Sequence, residues 1–127
     1  MEFVSHKQAL ELKELGFDEE CFGFYTHKGE LRRYTNFDGE LNDFQTLKNS
    51  SITMGDNWCA APTFSQAFRW FREKYQIDSW IYPNLNGLYS VSNVRRGVGL
   101  GKVSEYQTYE EAELACLNKL IEIVKTK

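Results

Sequence analysis

Residues 63–82 read Thr63-Phe64-Ser65-Gln66-Ala67-Phe68-Arg69-Trp70-Phe71-Arg72-Glu73-Lys74-Tyr75-Gln76-Ile77-Asp78-Ser79-Trp80-Ile81-Tyr82, and they decide the fold class. They open on Ser/Thr-x-x-Gln/Glu-Ala, a capping box. The hydroxyl accepts from the backbone amide three residues on, and the Gln or Glu side chain reaches back. Phe64, Ala67, Phe68, Phe71 and Tyr75 then recur at helical spacing and form a core stripe. Arg69, Arg72 and Glu73 lie opposite, and Trp70 falls on the flank. Residues 79–82 change period: Trp80 and Tyr82 share one face of a strand, because strand side chains alternate. Pro83-Asn84-Leu85-Asn86-Gly87 supplies a turn, and residues 88–94 a returning strand. Helix, strand, turn, strand is the unit.

The same opening recurs at Ser5-His6-Lys7-Gln8-Ala9 and at Thr108-Tyr109-Glu110-Glu111-Ala112. The first of these predicts a helix over 6–15 that stops at a left-handed Gly16. A hairpin follows, with strands at 20–25 and 30–34 and a turn at His27-Lys28-Gly29. Laid side by side at a fixed offset, residues 5–24 and 63–82 match Gln8-Ala9 to Gln66-Ala67, Phe17 to Tyr75 and Phe22 to Trp80. A further short strand is expected over 102–106, after the glycine loop at 97–101. The last helix, 109–125, places Leu114, Leu117, Ile121 and Val124 on one stripe with Leu120 beside it, and lysines at its end complement the helix dipole. Residues 36–61 are polar and poorly periodic, a long irregular loop with at most one short element. The order predicts an α+β fold: two helix-then-β-hairpin units forming a mainly antiparallel sheet, closed by a C-terminal helix. A chain of 127 residues suits one domain spanning 1–127.

Composition bounds the function by exclusion. A net charge of −3 opposes nucleic-acid backbones and anionic membranes, so neither DNA nor a membrane is an expected partner. No apolar run approaches the roughly 20 residues of a membrane helix, and the opening residues lack the pattern of a secretory signal, so a cytoplasmic setting is expected. Cys21, Cys59 and Cys116 are odd in number and widely spaced, which reads as buried small apolar residues rather than a disulfide or zinc framework. With only His6 and His27, a histidine-rich metal site is excluded, and no motif calls for a cofactor.

The runs Ala61-Pro62-Thr63 through Tyr75 (APT-x-x-QAFRWFREKY) and Glu110-Glu111-Ala112-Glu113-Leu114-Ala115-Cys116-Leu117 (EEAELACL) resemble a group of small uncharacterised proteins from bacteriophages and prophages, especially those of Bacteroidota hosts. The opening, Gln8-Ala9-Leu10 to Leu15-Gly16-Phe17-Asp18, is similar too. The resemblance brings no catalytic motif. It implies the host-cell cytoplasm, where small phage accessory proteins often bind and disable host components.

Candidate chemistry centres on Arg95-Arg96-Gly97-Val98-Gly99-Leu100-Gly101-Lys102. Glycines let backbone amides turn around an anion, and Arg or Lys gives charge-assisted donors to phosphate. It is not a Walker loop, since Val103 stands where Ser or Thr is required and no helix follows directly. Trp70 beside Arg69, and Trp80 with Tyr82, offer aromatic platforms for a nucleobase; the same residues also suit a core between helix and sheet, and Trp80 is expected to fill it. The ligand-binding residues read from the sequence are therefore Arg69, Trp70, Arg95, Arg96 and Lys102. Acid–base or nucleophilic catalysis finds little support: there is no Gly-x-Ser-x-Gly elbow, and the acids at 18–20 and 110–111 sit where turns and helix starts favour them. Two functions follow. One is non-enzymatic sequestration of an anionic nucleotide or nucleotide-derived host defence signal. The other is inhibition of, or adaptation to, a host protein through the 36–58 loop or an aromatic sheet face. A homo-oligomer stays open.

Overall fold

The computed structural model describes residues 2–33, 46–95, 98–100 and 104–125. Its chain gathers into two compact units, Met1–Thr63 and Phe64–Lys127. The α+β class holds, with a helix opening each unit and a helix closing the chain. Among the described residues the strands form two antiparallel sheets, one of three strands and one of four, rather than the single sheet expected.

The first unit opens with α1 (His6–Glu14). Both halves of its capping box are made: Ser5 Oγ accepts from the Gln8 amide and Gln8 Oε1 from the Ser5 amide, each at 3.2 Å. The helix stops as Gly16 requires. Gly16 takes φ 94°, its N–H donates to Lys13 O at 3.1 Å, and the Phe17 N–H donates to Leu12 O at 2.9 Å, the paired bonds of a Schellman stop. The hairpin of β1 (Gly23–Tyr25) and β2 (Leu31–Arg33) turns at Gly29, where φ is 79°.

Inside the stretch read as a loop, Leu47 bridges Cys21 through bonds of 2.7 and 2.9 Å, a 3-10 turn forms at Asn49–Ser51, and β3 (Cys59–Ala61) pairs with β1. Residues 34–45 lie outside the described ones. Three small residues give no strand signal of their own, but β3 lies against α1, and its fully buried Cys59, Ala60 and Ala61, with Ala9 of the helix, permit close approach.

The second unit runs α2 (Phe64–Tyr75), β4 (Ile77–Pro83), β5 (Tyr89–Arg95), β6 (Val98–Gly99), β7 (Ser104–Tyr106) and α3 (Tyr109–Lys125). Gln76 alone joins α2 to β4, in a left-handed conformation at φ 57° with its amide on Arg72 O. The β4–β5 turn is built on Asn84, whose Oδ1 accepts from the amides of Asn86 (2.9 Å) and Leu88 (3.1 Å). β5 is central, with β4 on one side and β6 and β7 on the other. Thr108 Oγ1 accepts from the Glu111 amide at 3.1 Å, as its capping signature predicts.

Two helix faces differ from the sequence reading. Trp70, expected on the flank of α2, is buried at 6 % exposure. Its long side chain reaches the core from there, meeting Phe71 and Tyr75 edge-on at 5.0 and 5.5 Å, with the Lys74 ammonium over the ring. On α3 the buried face is Ala112, Cys116, Leu117, Leu120 and Ile121, and Leu114 is exposed. Small Ala112 and Cys116 let the helix settle on Val91 of β5, so the face follows residue size rather than the leucine count.

Candidate functional site

The sequence-derived site residues meet different fates. Trp70 is core, so its indole offers no open stacking surface. Arg69 is exposed on α2 and pairs with Glu73 one turn on, at 4.0 Å. Arg95 ends β5. Arg96 and Lys102 lie outside the described residues.

Trp80 reverses the expectation that it fills the core. It is 55 % exposed and Tyr82 is 43 % exposed, on one face of β4 as alternation requires. Register sets Ser92 opposite Trp80, Ser90 opposite Tyr82 and Val94 opposite Asp78. Short neighbours leave both rings proud of the sheet. Asn84 Nδ2 donates to Ser90 Oγ at 3.1 Å and to the Glu105 carboxylate, which stands beside Ser90 on β7. The face is thus an aromatic pair on a serine floor with a carboxylate near each end, Asp78 and Glu105, and an exposed Leu85 at the hairpin tip. It offers broad apolar contact bordered by negative charge.

The opposite face of the same sheet meets α3. Val91, Ala112 and Cys116 form a buried cluster, and Asn93 Oδ1 accepts from Ser79 Oγ at 2.8 Å and from Cys116 Sγ at 3.5 Å. Burial pushes the Cys116 thiol up to about 11, so it stays protonated at neutral pH.

In the first unit, α1 holds the 56–58 segment through side chains. Lys13 Nζ donates to Asp56 O (3.3 Å) and Trp58 O (2.9 Å), while His6 Nε2 meets Asn57 O at 3.1 Å. The Trp58 ring lies 5.6 Å from His27 and 6.4 Å from Phe24. Leu10, Lys13, Glu14, Asp56 and Asn57 border a cleft of about 460 Å³. The Lys13 ammonium is engaged by two carbonyls, so the cleft records how the segment is fastened. Sequence reading missed this constellation because its partners are 43 to 51 residues apart.

Among the described residues, no group of three or more His, Cys, Asp or Glu side chains is placed to hold a metal, and no helix is long and apolar enough to cross a membrane. No protein-family model, curated protein or solved structure matches this chain.

Proposed function

We propose that this protein is a non-catalytic binding module that docks onto another protein through the Trp80–Tyr82 face of its four-stranded sheet. The observation that carries the reading is the exposure of both rings, 55 % and 43 %, on one side of β4. Trp and Tyr dominate the energetics of protein interfaces because each buries a large area with few rotatable bonds and keeps a polar tip. Asp78 and Glu105 favour a partner with a basic rim, since complementary charge steers encounter and rejects acidic surfaces. The resemblance to small phage accessory proteins makes a host protein the class of partner.

The test is site-specific photo-crosslinking. A benzophenone side chain at position 82, with positions 72 and 122 on exposed helix faces as controls, is irradiated in host extract. Position 82 alone should yield a discrete adduct, removed by excess unmodified protein but not by excess Trp80→Ala. Adducts that do not saturate, or that form equally at all three positions, reject the reading.

A second reading, sequestration of an anionic nucleotide, is favoured by one observation: Arg95 Nε is buried without a hydrogen-bond partner. Titration calorimetry with mono-, di- and cyclic nucleotides tests it. Heat from none of them rejects it.

A further inference from the structure

Asn93 and Arg95 stand two positions apart on β5, so their side chains leave the same face of the strand, the one that carries Val91 against α3. Ser79 and Ile77 of β4 lie opposite them, and Val98 of β6 lies beyond Arg95. Asn93 is 1 % exposed. Its Oδ1 already accepts two hydrogen bonds, yet its Nδ2 has no partner. Arg95 Nε, two residues on, is buried and has none either.

Buried donors without acceptors are rare, and they are costliest on a charged group. Two on adjacent same-face positions mark a place that lacks an acceptor. A water there would bring two more donors to a spot whose side-chain carbonyl oxygen is already filled. A group that only accepts fits better, and the guanidinium keeps its positive charge at every working pH. Val98, which stands opposite Arg95 and on the same face, is exposed on β6, so the sheet can be approached from this edge.

We propose that Asn93 Nδ2 and Arg95 Nε are the paired donors of an oxyanion site that takes a phosphate group. The proposal rests on the second reading above and deepens it, by naming Asn93 as the co-donor and phosphate as the recognised group.

The experiment titrates inorganic phosphate, and separately adenosine monophosphate, into the full ¹⁵N-labelled chain, following the Arg95 Nε–Hε and Asn93 side-chain amide resonances. Both resonances should shift saturably with phosphate. Arg95→Gln, checked for folding by circular dichroism, should weaken binding about tenfold or more, the worth of one charge-assisted hydrogen bond. The wild-type resonances decide the matter alone if that variant does not fold. Phosphate binding without stronger binding of the nucleotide leaves the site standing and rejects nucleotide sequestration. Nucleotide binding that moves neither resonance, and is unchanged in Arg95→Gln, overturns the site while leaving sequestration intact. Absence of any saturable shift overturns both.

Discussion

Asn49→Ala should destabilise the protein by about 2–4 kcal/mol, because one side chain completes two buried backbone groups. Asn49 is 8 % exposed; its Nδ2 donates to Phe17 O at 2.8 Å and its Oδ1 accepts from the Ala60 amide at 2.8 Å. The first bond holds the residue that follows the Schellman stop of α1. The second serves a strand that pairs on one side only among the described strands. Truncation leaves a carbonyl and an amide without partners, and each such loss costs about 1–3 kcal/mol, moderated where water reaches the gap. Against the roughly 5–15 kcal/mol that holds a typical domain, the loss is large. Urea unfolding measures it, and amide exchange at Ala60 localises it: that amide should exchange markedly faster in the variant. A loss below about 1 kcal/mol with unchanged Ala60 exchange would refute the reasoning.

Further outcomes follow from burial and charge. Trp70→Ala should cost about 3–5 kcal/mol and Trp80→Ala only about 0.5 kcal/mol, since one indole is core and the other is surface; equal midpoints would exchange their assignments. Asp18 is held below the ordinary carboxylate value of 3.8, first by the Ser50 backbone amide and then by its side chain. Its contribution to stability should be complete above that value and lost as pH falls through the lowered pKa, and Asp18→Asn should flatten that part of the acid unfolding curve. Cys59 and Cys116, both buried with thiols pushed up to about 11, should resist a thiol reagent at neutral pH in the native protein and react once it is unfolded. Fast labelling of either thiol under native conditions would show local opening.

Local signals were legible in the sequence because local chemistry makes them. Ser5 with Gln8, and Thr108 with Glu111, announce helix starts through bonds spanning three residues. Gly16, Gly29 and Gly87 announce the stops and turns that need positive φ. Partners chosen at long range were not legible. Periodicity names Trp70 and Trp80 as large and apolar, but whether each faces the core depends on which surface another element covers. The strand at Cys59–Ala61 exists because Gly23–Tyr25, more than thirty residues earlier, pairs with it. The glycine-rich run drew attention to Arg95, yet its lack of a partner, and that of Asn93, depends on the strands and helix packed around them.

Docking through the aromatic face is the central claim, and a binding titration of the partner captured at position 82 against Trp80→Ala and Tyr82→Ala tests it most directly. The account predicts a loss of at least about 2 kcal/mol in binding for Trp80→Ala, as for a ring at the centre of an interface, against a loss of only about 0.5 kcal/mol in folding stability. It also predicts affinity that falls as salt rises, because Asp78 and Glu105 border the contact. Wild-type affinity in both variants would contradict it.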